Sequence, residues 1–457
     1  MSETVDDVVR LAGDQAFPRW LDLVRATGGC AHPVALNGWR TDADAGTGEV
    51  LSHYDTASEP GERLLVRCGN RRRAVCEPCS WLHAGDTWQL VRAGLLGGKG
   101  VPDQVRSAPR LFVTLTAPSF GAVHRSGQPR PGGRHRADLG RCRHGRLLVC
   151  PGDHGGDDPL IGQPVCGECY DYAGHVLWNA SVGRLWKAFT DNLWARLAAA
   201  LGMSRSALRQ AARVSYAKVA EYQRRGAVHL HAVVRLDGAG GPGSAAPAGA
   251  DAALLADCVR GAAAAVALSG PECAALGERI LRWGDQIDVR EIGDGCGDDA
   301  DAVASYVAKY VTKSGGGTTA AGGWAGLARP VTGPEMIKAL PVSAHVRALL
   351  GTCWRLGALP ELAGLRLRAW AHQLGFRGHV LTKSRVFSTT YRALRSERAA
   401  HVQGRRPWGS AVITVQHWRY AGSGHSPGAA LLAAGIAADL ARNREVVREE
   451  FGRGPHG

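Results

Sequence analysis

Residues 227 to 236 read AVHLHAVVRL, from Ala227 to Leu236, and the alternation in this stretch decides how the sheet is built. In an extended strand successive side chains point to opposite faces, so His229 and His231 share one face while Val228, Leu230 and Ala232 take the other. The apolar run marks a buried or half-buried strand. Neutral imidazole is the commonest metal ligand among side chains, so His-apolar-His on a strand is half of a metal site. Two histidines that only alternate on a sheet, one hydrogen-bonded and one solvated, would read the same way locally. The rest of the chain has to separate the two readings.

Working outward, residues 213–222, RVSYAKVAEY, form a second strand, and Gln223 to Gly226 make a turn that returns the chain as a hairpin. Glu221 then sits near His229 and becomes a candidate third ligand; the register of the hairpin decides whether it shares the histidine face. Arg224 and Arg225 in the turn are candidate DNA contacts. Arg110 to Pro118, RLFVTLTAP, alternates apolar and hydroxyl residues and should lie beside the histidine strand in the same sheet. From His175 to Leu201 the spacing of Trp178, Val182, Leu185, Trp186, Phe189, Leu193 and Leu197 predicts a long amphipathic helix. A Gly/Pro/Ala linker, Gly238 to Ala250, leads to an alanine-rich helix. Asp301 to Lys313, DAVASYVAKYVTK, follows as a helix with Tyr306 and Tyr310 on one face and Lys309 and Lys313 on its shoulder. Such a pair of tyrosines is a packing stripe or, beside an ammonium, a nucleophile. Ser314 to Gly323 ends it in flexible chain.

The cysteines add a second chemistry. Of the 12, most fall before residue 170. Cys68, Cys76 and Cys79, the last two in a Cys-Glu-Pro-Cys knuckle, have the spacing of a structural zinc site, with Cys30 as fourth ligand and His32 and His83 as its competitors. Arg71, Arg72 and Arg73 lie in the loop such a site would fix, where they could clamp phosphates or simply be solvated. A second polar stretch holds Cys142, His144, Cys150 and His154 and closes on Cys166-Gly-Glu-Cys169. Cys142, Cys150, Cys166 and Cys169 are the expected ligands there, with His144 as the substitute.

With 457 residues, 45% of them hydrophobic, the chain has the length for two or three folded domains. The formal charge of +14 favours a polyanionic partner, nucleic acid before an acidic membrane. No apolar run has transmembrane length, and the N-terminus lacks a signal-peptide pattern, so a cytoplasmic protein with reduced cysteines is expected. The stretch AGLLGGKG, residues 93–100, fails as a phosphate-binding loop: Ala93 stands where glycine is required, and Gly100 where Ser or Thr should follow the lysine. No ATPase is assigned. Residues 326–457 read as a basic C-terminal region for DNA or partner binding. Arg377, Lys383 and Arg385 lie in one basic stretch there, Arg405 and Arg406 in another, with Phe376, Phe387, Tyr391, Trp408, Trp418 and Tyr420 interleaved.

The LFVTLT strand, the HLH strand and the YVAKYVTK helix, in that order, resemble the HUH-type rolling-circle replication initiators, and more closely the RepSA-like ones of actinobacterial plasmids and integrative elements. HPVALNGW, CGNRRRAVCEPC, GDTWQLVRAGLLGGKGVP, RGAVHLHAVVRLDG and LGFRGHVLTKSRVFSTT extend the likeness over most of the chain. The resemblance implies an α+β protein whose HUH core is an antiparallel, ferredoxin- or RRM-like sheet with helices. It implies Mg²⁺ or Mn²⁺ held by His229 and His231, with Glu221 the candidate third ligand, and a tyrosine that nicks the double-strand origin to leave a 5′-phosphotyrosyl link and a free 3′-OH primer. Ala-Lys-Tyr-x-x-Lys favours Tyr310 with Lys313 as the primary pair, and Tyr306 with Lys309 as the second. The implied partners are plasmid origin DNA, single-stranded or as a cruciform, together with a host helicase and DNA polymerase. On this reading residues 1–105 form an N-terminal zinc-knuckle region, 106–325 the nicking and joining domain with a cysteine-rich insertion at about 140–172, and 326–457 the basic C-terminal region. A non-catalytic zinc-knuckle DNA-binding regulator is the first rival. A nucleotide hydrolase with histidine as nucleophile is the second, and Val233, where a third alternating histidine would stand, weighs against it.

Overall fold

The structure, a computed structural model, describes residues 3–127, 140–150, 152–293, 298–313, 327, 329–402 and 412–451. The chain forms two compact units, one of residues 1–89 with 390–457 and one of residues 90–389. This differs from three consecutive domains: residues 90–105 join the second unit, and the expected C-terminal region is divided at 389/390. The physical reason is strand pairing. Val412–Ser423 runs antiparallel to Val34–Asp44 along its length, Val34 opposite Ser423 and Asp44 opposite Val412, so the two ends of the chain share a sheet. Val50–Asp55 and Leu64–Val66 complete it. Gly38 of HPVALNGW has a φ of +144°, and a Cβ there would fall 1.9 Å from the His417 carbonyl oxygen, so only glycine lets these strands meet.

The second unit is built on a five-stranded antiparallel sheet. Its strands are β1 (Arg110–Leu115), β2 (Ala212–Tyr222), β3 (Val228–Gly238), β4 (Ile287–Glu291) and β5 (Leu381–Lys383), in the order β5-β2-β3-β1-β4. The expected adjacency of the RLFVTL and HLH strands holds: Leu115 pairs with Leu230 and Arg110 with Arg235. Alternation sorts each strand into two faces. Leu111, Val113, Leu115, Leu230, Ala232, Val234 and Leu236 enter one core with helices α1 (Tyr172–Ala200) and α2 (Ala252–Ala264). The seven apolar residues read from the α1 periodicity are all buried. Asp171 caps α1 by accepting from the Gly174 amide at 2.8 Å, and Asp251 caps α2 through Leu254 at 2.8 Å. Each large apolar side chain so buried contributes about 1.5–3 kcal/mol.

The opposite face is polar. His229 and His231 stand on it, and farther along β3 so do Arg235 and Asp237, both fully buried. Arg235 Nε donates to both Asp237 oxygens at 2.8 and 3.0 Å, its Nη1 donates to the Gly94 carbonyl, and its guanidinium lies 5.3 Å from the Phe387 ring. Ser215 Oγ donates to Asp237 at 3.0 Å. Helix α3 (Asp298–Lys313) meets this face over β2 and β3, and Arg92 anchors it through Asp301 at 2.7 Å. No helix among the described residues is long and apolar enough to cross a membrane.

Because removal of one partner leaves a buried charge unpaired, Asp237→Ala is expected to lower the stability of the second unit by about 3–5 kcal/mol. Urea denaturation followed by tryptophan emission checks this. An unchanged midpoint would show that Arg235 finds equivalent partners without the carboxylate.

Candidate metal and nucleophile site

The hairpin register places Glu221 directly opposite His229, with Val219 opposite His231, so the carboxylate shares the histidine face. Glu221 Oε2 is 3.0 Å from His229 Nε2 and 3.3 Å from His231 Nε2, and the two Nε2 atoms are 3.0 Å apart. Gly226 makes the tight return possible: its φ is +83°, and a Cβ would sit 2.8 Å from Leu374 Cδ1. Tyr306, on α3, brings its hydroxyl to 3.0 Å from His231 Nε2.

Three groups therefore crowd a single ring nitrogen. An imidazole nitrogen has either one N–H or one in-plane lone pair, so His231 Nε2 cannot satisfy Glu221, His229 and Tyr306 by hydrogen bonds alone. A cation does satisfy them: oxygen and nitrogen donors about 2.1 Å from one ion at right angles stand about 3.0 Å apart. The donor set of one carboxylate and two imidazoles fits a divalent ion. The remaining nitrogen of His231, Nδ1, lies 3.0 Å from Thr114 Oγ1 on the paired strand, which fixes the ring and directs Nε2 to the centre. Phe112 stacks on the same ring, centroids 5.8 Å apart at 2°, and meets Tyr306 edge-on at 5.7 Å. Thr114 and Phe112 had no assigned role in the sequence reading, although the hydroxyl alternation of VTLT marked that face.

Electrostatics agree with the geometry. Burial raises the Glu221 carboxyl, but the hydrogen bonds and positive ends of His229 and His231 outweigh it and hold the group at about 2. With an ordinary value of 4.5 for the unfolded chain, this carboxylate's contribution to stability is complete above about pH 4.5 and is lost as the pH falls through about 2. Burial lowers the His231 pKa, with Glu221 opposing, which favours the neutral ring.

The other expected residues divide as follows. Lys309 is exposed on α3, whereas the side chains of Tyr310 and Lys313 lie outside the described residues, as do Arg405, Arg406, Trp408 and Ser314–Gly323. Cys30, Cys68, Cys76 and Cys79 converge, with Sγ atoms of Cys76 and Cys79 at 3.8 and 3.6 Å from that of Cys30. Thiolates about 2.3 Å from a tetrahedral ion stand about 3.8 Å apart. The amides of Ala31, Cys68 and Asn70 donate to three of the sulfurs, and the Cys30 and Cys79 sulfurs pull the Cys76 thiol far below its usual range. His83 is engaged instead by Thr87 and the Tyr391 ring, and His32 is exposed outside the cluster.

The second group comes together with one exchange. His144 joins Cys142, Cys166 and Cys169, its Nδ1 3.2 Å from Cys169 Sγ and 3.6 Å from Cys166 Sγ. Cys150 lies apart from them, beside His124 and His154. The fold separates these ligands because Cys142 and His144 sit in a tight turn closed by the Cys142 amide on the Arg146 carbonyl, which holds His144 over the Cys166–Cys169 knuckle.

Of the candidate DNA contacts, Arg224 and Arg225 line a cleft of about 820 Å³ with Arg125 and Arg282, next to the hairpin turn. Arg224 Nη1 is buried there with no hydrogen-bond partner among the described residues. Arg225 donates to the Ala117 carbonyl at 3.0 Å and covers Phe120. Arg73, Arg377 and Arg385 are exposed; Arg71 and Arg72 are half-buried. Lys383 does not project to solvent as expected. Its ammonium donates to the carbonyls of Ser384, Arg385 and Ser388, at 3.3, 3.2 and 3.0 Å, closing the loop after β5, and burial lowers its pKa.

Thr114→Val keeps the shape of the side chain and removes the partner of His231 Nδ1. The expected result is a loss of about 10–100-fold in Mn²⁺ affinity, read by electron paramagnetic resonance of free Mn²⁺. Thr114→Ser should restore it. Equal affinity in all three proteins would remove Thr114 from the orientation of the ring.

Comparison with known proteins bears on the whole chain. The family model described as RepSA, replication initiator protein, pSAM2, matches residues 16–438. A replication initiator protein of Streptomyces ambofaciens is 45% identical over 464 residues, covering 98% of this chain and 95% of the relative. No solved structure matches. A likeness that runs nearly from end to end, through both sheets and every cluster described above, shows that the chain belongs to the RepSA family of replication initiator proteins.

Proposed function

We propose that this replication initiator is itself the origin nickase: an HUH-type, ferredoxin-like transesterase in which Glu221, His229 and His231 hold Mg²⁺ or Mn²⁺ and a tyrosine of α3 cuts one DNA strand. The observation that carries the reading is the Tyr306 hydroxyl, 3.0 Å from His231 Nε2 at the centre of the carboxylate and imidazole donors. That position favours Tyr306 as the first nucleophile, with Tyr310, one helical turn farther on, as the second.

When bound, the ion polarises the scissile phosphate and stabilises the charge that develops on it. Glu221 and the two imidazoles hold their donor atoms on one rigid strand pair, and Thr114 keeps His231 from turning. A free phenol titrates near about 10, so the phenolate needs positive charge nearby; Lys309, three residues along the helix, supplies it. The phenolate oxygen forms the new bond to phosphorus on the 5′ side. The 3′ oxygen leaves with the electron pair of the broken bond and takes up a proton. One phosphodiester replaces another, so rejoining needs no ATP. Arg224 and Arg225 receive the backbone of the strand in the cleft beside the turn; a phosphate oxygen is a partner for buried Arg224 Nη1, which has none among the described residues. The free 3′-OH primes a host polymerase, with a host helicase opening the duplex ahead.

The purified protein is incubated with Mn²⁺ or EDTA on supercoiled DNA carrying the region beside its own gene, and adducts are mapped by peptide mass spectrometry. A metal-dependent adduct on Tyr306 is expected, with Tyr306→Phe reducing first-strand cleavage by about 10³-fold or more while DNA binding persists. An adduct on Tyr310 alone would keep the reaction and reassign the nucleophile. Unreduced nicking with both tyrosines replaced by Phe would overturn the tyrosine mechanism, and no nicking at all with binding intact would favour the non-catalytic regulator.

A further inference from the structure

We propose that His124, Cys150 and His154 form a separate metal site that takes one zinc-class divalent ion and clamps the cysteine-rich insertion to the wall of the arginine cleft. His124 Nδ1 lies 3.2 Å from Cys150 Sγ and 3.0 Å from His154 Nε2, and Cys150 Sγ lies 3.2 Å from the same Nε2. The three donors come from two segments separated in sequence by the stretch between Gly127 and Gly140.

Hydrogen bonding alone does not account for this triangle. His154 Nδ1 is 2.6 Å from Asp158 Oδ2, so Nδ1 carries the ring proton and Nε2 turns its lone pair toward the other two groups. That one lone pair cannot accept from both the His124 ring N–H and the Cys150 thiol. Replacing those protons by one cation gives every donor a partner. One thiolate with two imidazoles is a borderline donor set of the kind zinc takes, and tetrahedral bonds of about 2.0–2.3 Å place such donors about 3.3–3.5 Å apart, within a few tenths of the distances here. Asp158 supplies the carboxylate that commonly stands behind a metal-bound histidine, and it is itself fixed by the Leu160 amide at 2.8 Å.

The location gives the ion a role. His124 is bound through its backbone to the insertion, its amide donating to the Gln163 carbonyl and its carbonyl accepting from the Gly162 amide, both at 2.9 Å. The Gly127 amide donates to the His154 carbonyl at 3.2 Å. His124 and its neighbour Arg125 both line the cleft that also holds Arg224, Arg225 and Arg282. An ion on His124 therefore holds one wall of that cleft against the Cys150–Asp158 segment, where no regular helix or strand does so among the described residues.

The test is metal content of the full-length protein, purified without chelator and measured by inductively coupled plasma mass spectrometry. Cys150→Ser and His154→Ala are each expected to hold one zinc fewer than the parent, and Cys79→Ser combined with Cys150→Ser two fewer. Asp158→Asn keeps all three ligands; it should retain the parent's circular dichroism and release one zinc at about 10–100-fold lower chelator concentration than the parent. Parent zinc content in Cys150→Ser, or parent chelator resistance in Asp158→Asn, would overturn the site. Should Cys150→Ser fail to fold, the Asp158→Asn measurement decides.

Discussion

Everything at the candidate centre depends on the pairing of β2 with β3. Side chains alternate with a period of two, so a slip of one residue would send Glu221 to the face of Leu230 and leave the two imidazoles without a carboxylate. Two independent constraints hold the register. One is the tight turn at Gln223–Gly226, with Gly226 in a left-handed conformation against Leu374. The other is burial, since the alternative would turn Ala220 and Tyr222 out of their packing and drive the Glu221 carboxylate into the apolar core under α1. Packing on one face thus sets the chemistry of the other.

The same alternation explains how much of this was legible. His229, His231 and the strand Arg110–Leu115 announce themselves by period-two patterning, and α1 by its 3.6-residue stripe of Trp178, Val182 and Leu185. Glu221 could be named but not placed, because a hairpin sequence leaves its register open by one residue. Thr114 escaped notice because its function is to hold a ring on a neighbouring strand, a relation between residues 117 apart. Cys150 misled for a related reason: knuckle spacing groups cysteines by proximity in sequence, whereas the turn at Cys142–Arg146 brings His144 into that position. The pairing of Val34–Asp44 with Val412–Ser423 was invisible, as no local pattern links strands at opposite ends of a chain.

The distribution of cysteine and histidine clusters follows a physical need. Between Thr116 and Asp171 the described residues contain only isolated bridges, at Val123 with Pro164, Gly127 with His154 and Arg141 with Leu147, and little apolar core. A segment of this kind cannot offset its conformational entropy by burial. A metal held by these clusters would supply the missing free energy from a handful of side chains, since ligands that meet only in the folded chain couple binding to folding. An ion on the Cys30 group would do the same for the loop carrying Arg71 to Arg73. The arginines of this strongly basic protein would thereby be presented from irregular backbone held at fixed points.

The proposed ligands and the Tyr306 hydroxyl are carried by elements of different kinds, a strand pair and a helix. Glu221, His229 and His231 ride on paired strands whose opposite face lies in the main core. Tyr306 rides on α3, which Arg92 holds through an ion pair with Asp301 in which both side chains are more than a third exposed, an interaction of about 0–1 kcal/mol. The edge contact of Phe112 with the Tyr306 ring adds about 0.5–1.5 kcal/mol. Ala300, Ala304 and Val307 of the same helix are buried and seat it by apolar packing. On the function proposed above, the strand pair would hold the groups that activate the phosphate, and α3 would carry the attacking phenol beside them.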